Sequence, residues 1–224
     1  MAFARRGGFR RGYLFPELSG KAGIEKARTN RLLLLPHIEK ETKGLGWAFK
    51  ESALQYYSPA RRPESGFEEH LRREIEKSER DGRKLHVLEI GVGTGRQWAE
   101  FLKKHGNDFK FHATALTREF LHPSFTALVP KERITLVNAA SIYKKFKPGY
   151  FDLVLSHMGT HYQEKEALEA ILHVLKPGGE AMVTVSEFAK IPVQTGEHAK
   201  HYETLDVLPS ETGYFYHIRK KAQK

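Results

Sequence analysis

The stretch Val87-Leu88-Glu89-Ile90-Gly91-Val92-Gly93-Thr94-Gly95 constrains this chain more than any other. An apolar run of strand length meets three alternating glycines, and a helical pattern opens near Arg96. Glycine is required where backbone turns sharply and must approach a ligand without a Cβ in the way. Amides at the start of the following helix can then face an electronegative group. Glu89 adds a carboxylate at the carboxyl end of the strand, two residues before the first glycine. A carboxylate there suits a cationic amino group and repels a pyrophosphate.

The pattern around this loop predicts an α/β domain. Strand-length apolar runs cover Leu85 to Ile90, Lys110 to Leu116, Ile134 to Val137, Phe151 to Ser156 and Ala181 to Ser186. Helical patterns lie between several of them. Arg96 to His105 places Trp98 in the core, and Glu164 to Leu175 spaces Ala167, Leu168, Ile171, Leu172 and Leu175 on one face. Such alternation implies a parallel sheet covered on both faces. The pattern then changes: Thr204 to Leu208 and Tyr214 to Arg219 flank the turn-like pentapeptide Pro209 to Gly213, which predicts an antiparallel hairpin. Ahead of the sheet, Phe67, Leu71 and Ile75 recur four apart and predict a helix over Phe67 to Arg80.

Charge divides the chain further. Its 224 residues carry 37 Lys plus Arg and 27 Asp plus Glu, a formal charge of +10. Residues 1–65 hold 13 basic and 6 acidic groups, so most of the excess precedes the sheet. We therefore divide the chain into a basic flexible arm over 1–22, an extension and linker over 23–66, and the α/β domain over 67–224. With no Cys, disulfides, thiolate metal sites and cysteine nucleophiles are excluded. Apolar runs near the start fall far short of the roughly 20 residues of a membrane helix, and a cytoplasmic location is expected. His157 and His161 are four apart but lack the Glu of an H-E-x-x-H pair, so no metal site is predicted.

The Glu89 to Gly95 loop resembles the E/D-x-G-x-G-x-G loop of class I S-adenosylmethionine-dependent methyltransferases. Phe151-Asp152-Leu153-Val154-Leu155-Ser156 is similar to the fourth strand of that family, and Leu172 to Gly179 (LHVLKPGG) to the helix and turn before its fifth. The resemblance implies a Rossmann-like three-layer sandwich, with a mostly parallel seven-stranded sheet and a C-terminal antiparallel hairpin. It implies S-adenosylmethionine as cofactor, contacted by Glu89, Gly91, Gly93, Gly95, Leu116, Ala139, Ala140 and Ser156. The sequence also departs from the family. Alignment places Ala115 where an acid commonly binds the ribose hydroxyls, and Ala139 where a second acid commonly binds the adenine amino group. Each such hydrogen bond is worth about 1.5–3 kcal/mol, so two losses correspond to about two orders of magnitude in affinity. Glu119, Asn138 and Ser141 are the nearby side chains able to substitute.

The loop Ser156 to Tyr162 follows the carboxyl end of a predicted parallel strand, where open α/β sheets place ligands. His157 and His161 have the chemistry to take a proton from a methyl acceptor, and Tyr162 to stack on a planar one; the alternative is packing and helix capping. Phe188 to His201, which includes His198, is either a lid or a surface loop. In the arm, Arg5, Arg6, Arg10 and Arg11 alternate with Gly, Phe and Tyr, a combination that pairs with phosphates and stacks on unpaired bases, or simply solubilises a tail. The leading expectation is a methyltransferase acting on a small molecule or RNA. The rival is a catalytically inactive methyltransferase-like domain with an RNA-associated or assembly role. A nicotinamide-dependent oxidoreductase ranks third, because its G-x-G-x-x-G spacing needs glycine at 96 and the third glycine is Gly95.

Overall fold

A computed structural model describes residues 67–115, 118, 121–157, 164–186, 200–210 and 213–222. The basic arm, the 23–66 extension, Leu116, Glu119, His161, Tyr162 and positions 188–199 of the candidate lid lie outside the described residues.

Helix α1 (Phe67–Arg80) leads into β1 (Leu85–Glu89), α2 (Arg96–His105), β2 (Phe109–Ala115) and the four-residue α3 (Pro123–Thr126). Next come β3 (Ile134–Leu136), β4 (Phe151–His157), α4 (Glu164–Val174), β5 (Leu175–Ser186), β6 (Tyr202–Ser210) and β7 (Gly213–Lys220), with 3-10 turns at Lys131–Arg133 and Ala139–Lys144. The seven strands form one sheet in the order β3-β2-β1-β4-β5-β7-β6. The first five run parallel, and β7 is antiparallel to both of its neighbours. This is the expected Rossmann-like sandwich.

Alternating residues of each buried strand feed opposite faces. Val87, Phe109, Phe111, Ala113, Leu153, Leu155, Met182 and Phe215 pack with Leu71 of α1 and with Trp98, Ala99 and Leu102 of α2. Leu88, Val154, Ala181, Val183 and Ile218 pack with Ala167, Leu168, Ile171 and Leu172 of α4 and with Ile142. Trp98 is 2% exposed, as its helical position predicts.

Two boundaries differ from the sequence expectation. The helix ahead of β5 ends at Val174, and Leu175 already pairs with Phe151. The next partners are Leu153 and Glu180, so Lys176-Pro177-Gly178-Gly179 bulges out between two stretches of one strand. Gly178 takes φ +76° there. The hairpin strands also run further than predicted, until Ser210 faces Gly213. Pro209, which suggested a turn, sits in β6, an edge strand where a missing N–H is tolerated.

At the amino-terminal end of the central strands, Asp152 ties three segments together. It accepts from Arg83 at 2.7 Å, from Lys176 at 2.8 and 2.9 Å, and from the His86 amide at 2.9 Å. His112 of β2 sits among the rings of Phe146, Tyr150 and Phe151. Burial, reinforced by the charges of His86, Arg133 and Lys110, lowers it from 6.5 to about 4. A depressed imidazole is neutral in the fold, so its contribution is complete above pH 6.5 and is lost as pH falls toward 4. Thermal unfolding followed by circular dichroism is expected to show a falling Tm across that window, with a shallower fall in His112→Gln; parallel slopes would contradict this assignment.

Candidate active site

The site is built from the carboxyl end of β1. Glu89, 3% exposed, closes the strand between Ala113 of β2 and Leu155 of β4. The backbone then leaves the sheet while staying tied to both neighbours. The Ile90 amide donates to the Leu155 carbonyl at 2.8 Å, the Gly91 amide to Thr114 Oγ1 at 2.9 Å, and the Val92 amide to the Thr114 carbonyl at 2.9 Å. Val92 itself points into the core.

Gly91, Gly93 and Gly95 take φ of 70°, 61° and 70°, a left-handed region that L side chains enter only at a cost. The glycines have different second reasons. A Cβ on Gly93 would meet nothing within 4 Å, so that residue presents bare backbone outward. A Cβ on Gly95 would lie 2.4 Å from Cγ of Phe125, whose ring fills the space beneath the start of α2. Phe125 belongs to α3, which is pinned to the loop by the His122 amide donating to the Thr94 carbonyl at 2.8 Å. Gly95 is the N-cap of α2, and Thr94 Oγ1 accepts from the Arg96 amide at 3.4 Å.

The sequence-predicted cofactor residues that the structure describes lie at the carboxyl ends of β1 and β4, in the glycine loop and just after β3. Strands β1 and β4 lie side by side although β2 and β3 separate them in the chain, and their carboxyl ends form the switch point at which open sheets bind ligands. Ala115 ends β2 and is 6% exposed; Ala139 opens a 3-10 turn and is 5% exposed. Neither position supplies a carboxylate. Asn138, directly before Ala139, holds Oδ1 buried without a hydrogen-bond partner among the described residues. An orphaned buried acceptor costs about 1–3 kcal/mol until a donor reaches it. Ala140 is half-buried, and Ser156 is fully buried with its hydroxyl donating to the Ile90 carbonyl at 3.4 Å. His157 closes β4 opposite Thr184.

Thr114, His122 and Phe125 are the supports that sequence reasoning missed. They act on the loop from 20 or more residues away, and nothing local to them signals that role.

An acid at the strand end, a left-handed glycine loop open at Gly93 and an acceptor at Asn138 unanswered among the described residues mark a Rossmann-like domain with a candidate ligand site at its switch point. Residues 87–179 match the family model described as a methyltransferase domain, which supports the resemblance of this stretch to the class I S-adenosylmethionine-dependent methyltransferases. Comparison with curated proteins gives no significant match. Among solved structures, similar folds include an rRNA methylase from Streptococcus thermophilus, at 17% identity and TM-score 0.45 over 62% of this chain and 88% of that one. A second is TrmN from Thermus thermophilus, at 16% identity and TM-score 0.49 over 75% of this chain and 53% of that one. A third is an S-adenosylmethionine-dependent methyltransferase from Methanosarcina mazei, at 15% identity and TM-score 0.46 over 62% and 93%.

The two glycine environments predict unequal substitutions. Gly93→Ala incurs the left-handed penalty of about 1–2 kcal/mol. Gly95→Ala adds overpacking against Phe125, about 1–3 kcal/mol more. Thermal unfolding is therefore expected to show a larger drop in Tm for Gly95→Ala than for Gly93→Ala; the reverse order would contradict the packing role of Gly95.

Proposed function

We propose that this protein is an S-adenosylmethionine-dependent methyltransferase. The observation that carries the reading is the buried Glu89 carboxylate immediately before a left-handed glycine loop whose middle glycine faces open space. When bound, S-adenosylmethionine supplies an electrophilic sulfonium methyl; transfer to a positioned acceptor depends mainly on alignment and exclusion of water.

The chain's own residues divide that work. Glu89 offers its carboxylate to a cationic amino group, an attraction strengthened by burial. Gly93 lets the ligand lie against backbone. Asn138 Oδ1 accepts a hydrogen bond from an amino group, in a region where the family commonly places acids. Its buried Oδ1, without a partner among the described residues, supports it over Ser141 as the substitute. The rival reading, a domain without catalysis, gains no support from the methyltransferase-domain match.

The acceptor is a small molecule or RNA. His157, His161 and Tyr162 are proposed to meet it beyond β4, with His157 or His161 taking a proton where the acceptor must lose one. Arg5, Arg6, Arg10 and Arg11 support an RNA contact through phosphate pairing. Transfer of labelled methyl groups to purified RNA, compared with a small-molecule extract, separates the two acceptor classes.

Calorimetric titration tests the cofactor. S-adenosylmethionine or S-adenosylhomocysteine is expected to bind, and Glu89→Ala to weaken binding by about 10- to 150-fold, the worth of a charge-assisted hydrogen bond. Asn138→Ala is expected to weaken it by about 2- to 12-fold, the worth of a neutral one. No heat at millimolar cofactor would overturn the proposal.

A further inference from the structure

A second cluster of chemistry-bearing side chains lies away from the glycine loop. Glu180 of β5 is in register with Leu153 of β4 and through it with Val87 of β1, four residues before Gly91 and two strands aside. Glu180 is 3% exposed, and His70 of α1 and His217 of β7 are each 7% exposed. Both imidazoles direct Nε2 at the same carboxylate oxygen, Oε2, from 2.7 Å for His217 and 3.2 Å for His70. The other oxygen, Oε1, accepts from Arg219 Nε at 3.1 Å and from its terminal nitrogen at 2.8 Å.

Hydrogen bonds account for only part of this arrangement. His217 makes a well-formed one. His70 Nε2 lies 3.2 Å from Oε2 as an ion-pair contact, and it is a buried nitrogen without a hydrogen-bond partner among the described residues. It is thus a polar group more than nine-tenths buried, aimed into a cluster that does not satisfy it. The two rings stand edge to face with centroids 5.4 Å apart. The three donor atoms all lie within 4.8 Å of one another.

We infer that His70, Glu180 and His217 form a binding site for a divalent transition-metal cation of the zinc type. Zinc binds imidazole nitrogen at about 2.0–2.1 Å and carboxylate oxygen at about 2.0–2.2 Å, which places tetrahedral donors about 3.3 Å apart. The His70 to Glu180 separation of 3.2 Å already meets that spacing, and the 2.7 Å one to His217 opens to it by a movement of about 0.6 Å. Two nitrogens and one oxygen suit zinc, cobalt or nickel and disfavour calcium or magnesium, which take oxygen sets. Arg219 orients the carboxylate from its second oxygen, the supporting role that hydrogen bonds to ligating carboxylates ordinarily play.

Charge is the obvious objection, since a guanidinium stands beside the site. Arg219 is also close to Glu203, at 3.7 Å, and within the field of Glu74. Glu180, Glu203 and Glu74 set three carboxylates against Arg219 and against Lys77, which lies 3.4 Å from Glu74, and the net negative charge favours a cation. The ion would join α1 to β5 and β7, three segments distant in the chain, so its role is structural. It does not depend on the methyltransferase reading.

The test uses the full chain, stripped with chelator and titrated with zinc chloride alone. One equivalent is expected to bind and to raise the Tm, and cobalt in its place is expected to give the intense visible absorption of a four-coordinate ion. His70→Ala and His217→Ala are each expected to weaken zinc binding at least tenfold and to abolish the cobalt band. Should His217→Ala fail to fold, His70→Asn serves the same comparison, with circular dichroism reporting its fold. Absence of binding would overturn the inference, as would zinc affinity and cobalt spectra unchanged in the His70 variants, which would place the ion on other histidines. Cofactor titration of the same variants is expected to match that of the unaltered chain.

Discussion

The rest of the structure depends on how β1 ends. A buried parallel strand cannot stop in the sheet with its amides unanswered, and here the answer comes from both sides: Leu155 on β4 takes one amide and Thr114 on β2 takes the next two. Held between two strands, the backbone turns into α2 through left-handed residues that only glycine adopts without penalty. The same turn buries Val92, seats Gly95 on Phe125 and leaves Gly93 uncovered. Packing and ligand access are therefore properties of one loop, satisfied by different residues within it.

This division explains what was legible in the sequence. Strand and helix periods were readable wherever an element buries one face or both, as in Leu85–Glu89, Arg96–His105 and Glu164–Val174. The glycine loop was readable because its residue types are dictated by local backbone geometry. Boundaries failed where tertiary pairing overrode local preference: Leu175 joins the sheet before the Pro-Gly-Gly bulge, and Pro209 is tolerated on an open edge. The candidate site was legible at Glu89 and its glycines, while Thr114, His122 and Phe125 act through contacts that no spacing encodes. His70, Glu180 and His217 lie 110 and 37 residues apart, and only the meeting of α1 with two non-sequential strands makes them neighbours.

The two buried acids at the amino-terminal half of the sheet show how such charges are tolerated. Asp152 is surrounded by Arg83, Lys176 and a backbone amide, which satisfy both oxygens. Burial works against the charge on Glu180, but His217, His70 and Arg219 outweigh it and hold the carboxyl well below the usual range. Removing one partner from either cluster leaves a buried charge short of compensation, which is more damaging than removing an exposed pair such as that of Arg72 with Glu69.

The strand order carries a consequence for how the molecule is made. Strand β7 follows every other strand in the chain, yet it lies inside the sheet between β5 and β6. During synthesis β5 must wait with one hydrogen-bonding edge exposed, and β6 has no neighbour to join until the segment after it emerges. An unpaired edge of apolar residues such as Ala181 to Val183 is a template for pairing with other chains. The nascent protein is thus most vulnerable to misassembly late, when its glycine loop and five parallel strands are already available but the segment that closes the sheet is still to come.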